Sequence, residues 1–245
     1  MAYTKLETRN QLNSILTTYS FNDFYKHCPY RKGKLKGDNI FSDEYVALFV
    51  LENLDQFGSK INKDNRATYF DKPREEKTGE GEEQFQRFIY FERKLDADLK
   101  SKLVGEDFIW FEFSGYPKIG KGIDLISYNS KKKILTIYEL KYGAVDEHLI
   151  KAILEIQTYF KRTRFDKLKN DWKLNYKNAN KPASHYEKLD LAFDNAKVRK
   201  VLLLDKRSFA ARQLLGLEGD NKNQLKLLDI LSIETIVFDG EKYPF

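Results

Sequence analysis

Cysteine, histidine and long apolar runs are scarce in this chain. Its 245 residues hold one cysteine, Cys28, and three scattered histidines, His27, His148 and His185. A lone thiol forms no internal disulfide, which points to a reducing, cytoplasmic setting. It also excludes zinc sites built from cysteine clusters, and the histidine count speaks against a histidine-centred site. No apolar run reaches the roughly 18 residues of a membrane span, and no signal-peptide h-region opens the chain, so no membrane role is expected. What is present is aromatic (14%) and charged (33%), the balance of a globular rather than a disordered chain. The formal net charge of +6 is compatible with a polyanionic partner and does not establish one.

The most informative stretch runs from Gly122 to Lys141. Residues 122–128 read as a strand, 129–133 as a polar turn with three lysines, and 134–141 as a second strand rich in β-branched and aromatic residues. Side chains alternate faces along a strand, so Leu135, Ile137, Glu139 and Lys141 share one face. That face begins apolar and ends in a carboxylate and an ammonium. Charges at the end of a buried strand are costly unless something there uses them. Asp124, on the partner strand, is expected to lie across the hairpin from them. Two carboxylates and a lysine then converge on a point suited to a divalent metal.

Around this hairpin the pattern alternates helices and strands. A short helix is expected over residues 1–20, with Leu6, Leu12, Ile15 and Leu16 as its apolar positions, then an aromatic and basic loop. A second helix opens at Ser42 as N-cap, with Asp43 and Glu44 in its first turn, and ends near Gly58. Residues 59–79 lack periodicity and read as a linker, dividing an N-terminal helical extension (1–75) from the core (76–245). A helix over about 80–103 buries Phe85, Phe88, Ile89, Leu95 and Leu99. Extending that stripe one turn back lands on Glu82, a candidate site carboxylate, with Glu83 and Glu92 as weaker ones. A strand follows at 107–114, then Lys118 and Lys121 in a glycine-containing connection, where a phosphate backbone can approach.

After the hairpin, a helix over 146–162 carries Leu149, Ile150, Ile153, Ile156 and Phe160 inward, with the amide of Gln157 on the same side. Residues 160–181 combine cations, among them Lys161, Arg162, Arg164, Lys169 and Lys173, with Phe165, Trp172 and Tyr176. Cations for phosphates and rings for bases are what a nucleic-acid-binding arm needs. A solvated lysine-rich helix face is the plainer reading. A buried strand at 198–205, helices near 208–215 and 223–231, and a strand at 234–239 complete an α/β chain with a mixed sheet.

Asp124, fourteen residues, then Glu139-Leu140-Lys141 resembles the signature of the PD-(D/E)xK nuclease superfamily. The helix, three-strand meander, helix and strand around it are similar to that superfamily's core over residues 80–205. The resemblance implies a restriction-endonuclease-like fold. It also implies Mg2+, with Mn2+ as a substitute, held by Asp124 and Glu139, with the Leu140 carbonyl as a further ligand in this reading. Lys141 would orient or activate the attacking water, Glu82 would assist from the preceding helix, and Gln157 matches a glutamine that many relatives carry on the following helix. Two departures stand out: Ile123 replaces the usual proline, and Lys161 replaces a tyrosine often found four residues after the glutamine, with Tyr159 two residues away.

The implied activity is phosphodiester hydrolysis. A DNA endonuclease of restriction or defence type is the first expectation, with DNA favoured over RNA as partner. A structure-selective repair or junction nuclease is the alternative. Cutting both strands commonly needs two active sites, which leaves a homodimer open. Two rivals from other classes are a non-catalytic nucleic-acid-binding module and a buried structural salt bridge. The bridge would account for Glu139 and Lys141 but not for Asp124.

Overall fold

The computed structural model describes residues 3–19, 21–59, 81–91, 95–113, 122–165 and 197–243. Five strands form one mixed sheet in the order β1 (Asp107–Phe113), β2 (Ile123–Asn129), β3 (Ile134–Lys141), β4 (Lys197–Asp205) and β5 (Ile233–Phe238). The first three strands pair antiparallel, as a meander joined by short connections allows, and β3, β4 and β5 run parallel. Parallel neighbours need crossovers. The helix α7 (Leu149–Arg162) lies between β3 and β4, and α8 (Phe209–Leu214) and α9 (Lys222–Ile230) lie between β4 and β5.

The inner strand β4, paired on both sides, explains the layering. Leu202 and Leu204 enter one apolar cluster with Ile150, Ile153 and Ile156 of α7. Val201 and Leu203 enter another, with Phe85 and Ile89 of α5 (Glu82–Tyr90) and Leu99 of α6 (Ala97–Lys102). A strand buried on both faces reads as a continuous apolar run rather than an alternation, as Val201 to Leu204 does. The expected helix over 80–103 is thus two helices. Asp96 starts the second by accepting from the backbone N–H groups of Asp98 and Leu99, the usual work of an N-cap aspartate.

The N-terminal helices are α1 (Lys5–Thr18), α2 (Phe21–His27), α3 (Ser42–Glu52) and α4 (Leu54–Ser59). Thr4 and Glu7 close a capping box on α1. Leu12 and Leu16 bury, but Leu6 is exposed. The stretch expected as a loop after residue 20 contains α2, because Phe24 and Tyr25 bury against the rest of this layer. The helix expected to run to Gly58 breaks at Asn53, whose side-chain amide donates to the Phe49 carbonyl. Ser42 is not the N-cap. Phe41 holds that position, and the Ser42 N–H donates to Gly33 instead.

The first-turn acids of α3 serve other elements. Glu44 Oε2 accepts from the Asn223 N–H at 2.7 Å and Oε1 from the Gln224 N–H at 3.2 Å, capping α9 from a distant helix. Burial raises the Glu44 carboxyl above its ordinary range, opposed by these donors. Asp43 Oδ2 accepts from Gln213 Nε2 at 2.6 Å and lies 2.6 Å from His148 Nδ1. Residues 60–80, which hold the expected linker and the boundary at 75/76, lie outside the described residues. The helices before them share one apolar cluster with the sheet and α7.

At the carboxyl ends of the parallel strands, the fully buried Asp205 accepts from Gly143, Arg207 and Gly240. A methyl group on Gly240 would run into Asp205 Oδ2. Gly240→Ala is therefore expected to destabilise the protein by about 3 kcal/mol, since Asp205 is fully buried and moving it would disturb its bonds to Gly143, Arg207 and Gly240. A urea unfolding midpoint equal to wild type would show that this corner is loosely packed.

Candidate functional site

The hairpin of β2 and β3 pairs Leu125 with Tyr138 and Ile126 with Ile137. Continuing that register by one residue sets Asp124 opposite Glu139. Asp124 shares its face with Ile126 and Tyr128, and Glu139 and Lys141 share theirs with Leu135 and Ile137, all facing the α7 layer. The apolar parts of both strands anchor this face, so the polar residues at its end are carried in with them. Asp124, Glu139 and Lys141 are 7%, 2% and 4% exposed. They lie at the carboxyl end of β3, the end at which open α/β sheets bind ligands.

Four close contacts define the geometry. Asp124 Oδ2 accepts from the backbone N–H of Leu140 at 2.7 Å, tying the carboxylate to the opposing strand. Lys141 Nζ donates to Glu139 Oε1 at 2.5 Å. The same ammonium lies 3.2 Å from Glu147 Oε1 and 3.5 Å from Glu155 Oε2. Glu82 opens α5 behind Gly81, whose φ of 77° is left-handed backbone that favours glycine. From there its charge acts on both Asp124 and Lys141.

Three carboxylates, Glu139, Glu147 and Glu155, therefore lie within ion-pair distance of one ammonium, and the charges of Glu82 and Asp124 act on the same group. Burial, and then the charge of Glu82, push the Asp124 carboxyl up to about 8, against the pull of Lys141 and the Leu140 N–H. Burial together with Asp124 and Glu155 pushes Glu139 well above the carboxylate range. Burial alone would lower Lys141, but Glu139, Glu155, Glu82 and Glu147 hold it well above the ordinary lysine value. At the rim, burial would raise Glu147, yet the Lys141 and Lys151 ammoniums keep it down to about 2. Among the described residues, carboxylates outnumber ammoniums in this cluster.

The members on and just before α7 are ones the sequence pattern did not single out. Glu147, Lys151, Glu155 and Tyr159 stand four apart, which places them along one ridge leading into α7 and down it. Lys151 pairs with Glu147 at 2.9 Å, and the Tyr159 hydroxyl donates to Glu155 Oε1 at 2.9 Å. The Tyr25 hydroxyl, from α2, is 3.4 Å from that of Tyr159. The fourfold spacing, and an acid between Leu154 and Ile156 of a buried helix, were the available signals.

The structure does not bring Gln157 into this cluster. Two residues on from Glu155, it points roughly 200° round the helix. Its Oε1 accepts from Lys200 Nζ at 2.8 Å, and burial followed by the charge of Lys161 lowers Lys200 to about 8. Lys161, Arg162 and Arg164 lie at the far end of α7, Lys161 exposed and the two arginines half-buried, about 10 Å along the axis from Glu155. Lys118, Lys121, Lys169, Trp172, Lys173 and Glu92 lie outside the described residues. Glu83 pairs with Arg87.

A hard divalent cation fits this donor set. Glu139 Oε2 is buried without a hydrogen-bond partner, and the surplus of carboxylates matches the oxygen ligands such ions take. Among the described residues, no three acidic, histidine or cysteine side chains are already arranged as a cage, and the carboxylates converge on Lys141 instead.

The charge shortage has a measurable consequence. A carboxyl whose folded-state value lies above its unfolded one contributes stability below the unfolded value and loses it as pH rises through the folded value. For Asp124 that window runs from its ordinary 3.8 to about 8. Metal-free protein should thus melt lower at pH 8 than at pH 5, and Asp124→Asn, which still accepts from Leu140, should recover about 5 °C at pH 8. Thermal denaturation in chelator tests this, and a lower melting temperature for the variant at pH 8 would refute it.

No family model, no curated protein and no solved structure matches this chain, so its assignment rests on its own residues and their geometry.

Proposed function

We propose that this protein is a divalent-metal-dependent phosphodiester hydrolase of the PD-(D/E)xK type, acting on nucleic acid. The observation that carries the reading is the convergence of Asp124, Glu139 and Lys141 at one buried strand end, with a Glu139 oxygen left unpartnered. The five-stranded mixed sheet between helices is compatible with a restriction-endonuclease-like core.

In this reading Asp124, Glu139 and the Leu140 carbonyl hold Mg2+ or Mn2+, with Glu82 adding negative charge beside them. Such an ion, when bound, polarises the phosphate and lowers the pKa of bound water. Lys141 directs an N–H at the attacking water and offsets charge that develops on the phosphate oxygens. Glu155, held by Tyr159, keeps the ammonium on the site side of α7. Lys161, Arg162 and Arg164 meet backbone phosphates one to two turns further along. A DNA endonuclease of restriction or defence type is the specific form proposed.

A second reading, a purely structural charge cluster, draws on the three carboxylates that already surround Lys141. The two diverge on ligand binding: a protein that binds Mg2+ in its native state alone must melt higher in its presence.

Purified protein is expected to nick or cut plasmid, linear duplex or single strands with Mg2+ or Mn2+. Asp124→Asn and Lys141→Met should each reduce the rate by about a thousandfold or more. Absence of cleavage on DNA and RNA alike, with no thermal shift by Mg2+, would leave the structural cluster as the correct reading.

A further inference from the structure

The Lys141 ammonium lies within ion-pair distance of oxygens of three carboxylates, Glu139, Glu147 and Glu155. Those oxygens are what a hard cation would otherwise take. The contacts are unequal. The one to Glu139 is a short hydrogen bond, whereas Glu155 Oε2 and Glu147 Oε1 are ion-pair partners that lack hydrogen-bond alignment. A divalent ion on Glu139 would sit within a few ångströms of the lysine, where like charges repel strongly in a dry site.

The three carboxylates also differ in freedom. Glu139 is on a strand paired on both sides, and its side chain is 3% exposed. Glu155 is buried and bonded by Tyr159, which Tyr25 backs. Glu147 lies in the connection before α7, outside regular structure, with 23% of its side chain exposed. It alone stands at the rim, and Lys151 supports its charge from the solvent side.

We infer that Lys141 fills the cation position of the metal-free site, and that Glu147 is a positioning residue that draws the ammonium aside when a divalent ion takes Glu139. The inference rests on the divalent-metal reading above. The unpartnered Glu139 Oε2, on a side chain almost wholly buried, is the independent sign that this residue has a further ligand to accept. Removing the Glu147 charge then leaves Lys141 more firmly on Glu139 and weakens metal uptake, while removing the lysine strengthens it.

Mn2+ alone is the probe, with binding to the 245-residue chain read from the loss of its free-ion paramagnetic resonance signal. Glu147→Gln should weaken uptake about fivefold and Lys141→Met should tighten it by a similar factor. In the Lys141→Met background, Glu147→Gln should have no effect, because the residue acts only through the lysine. Equal loss in both backgrounds would make Glu147 an ion ligand in its own right and overturn the inference. Uptake by Glu147→Gln equal to wild type would overturn it too, while leaving the metal site standing. No uptake by wild type would overturn the metal reading and this inference together. Should Lys141→Met not fold, the NMR signal of the Lys141 ammonium in wild type decides: it shifts on adding Mg2+, and an unchanged signal refutes the displacement.

Discussion

Carboxylates taken out of water need either a cation or a full set of donors, and most of the polar architecture of this protein follows from that demand. Asp205 receives backbone N–H groups and a guanidinium at the carboxyl ends of the parallel strands. Glu44 receives the open N-terminus of α9. Asp43 receives Gln213 and His148. Both oxygens of Asp205 and Glu44 are provided for, Asp43 keeps Oδ1 without a hydrogen-bond partner, and each of the three joins elements far apart in the chain. The group around Lys141 has the larger surplus: among the described residues, the Lys141 and Lys151 ammoniums, the Leu140 N–H and the Tyr159 hydroxyl are set against Glu82, Asp124, Glu139, Glu147 and Glu155. A buried imbalance of this kind costs stability, and proteins carry such costs mainly where they do chemistry.

The N-terminal helices belong to the same construction. Their apolar residues, Leu12, Phe24, Val46 and Phe49, enter the cluster that covers the α7 face of the sheet. Asp43 and Glu44 lock the start of α3 onto α7, α8 and α9. Tyr25 reaches Tyr159, and through it Glu155. The layer that reads as an addition in the sequence therefore supports the helix that bears two of the site's neighbours.

Much of the architecture was legible because it rests on local patterns. The two strands of the hairpin and the buried run at Val201 to Leu204 stand within a residue of where their β-branched and aromatic content put them. The breaks were harder. Asn53 interrupts a helix whose apolar spacing continues through it, and Asp96 opens a new helix inside a stretch whose spacing reads as continuous; the local bonds they make mark these positions. Ser42 carries the strongest cap signal of its helix, yet its N–H is taken by Gly33 from a separate loop.

The candidate site divides along the same line. Asp124, Glu139 and Lys141 follow from strand alternation across a tight hairpin, where side-chain direction is set by position alone, so the sequence by itself determined that they share a face. Which helix residues join them was decided by the tertiary structure. Glu155 and Gln157 are both buried on α7, and their helical spacing states only that they diverge. The packing of α7 against β3 and β4 turns Glu155 to Lys141 and leaves Gln157 to Lys200. That choice depends on the rotation and register of one element on another, which no local pattern records.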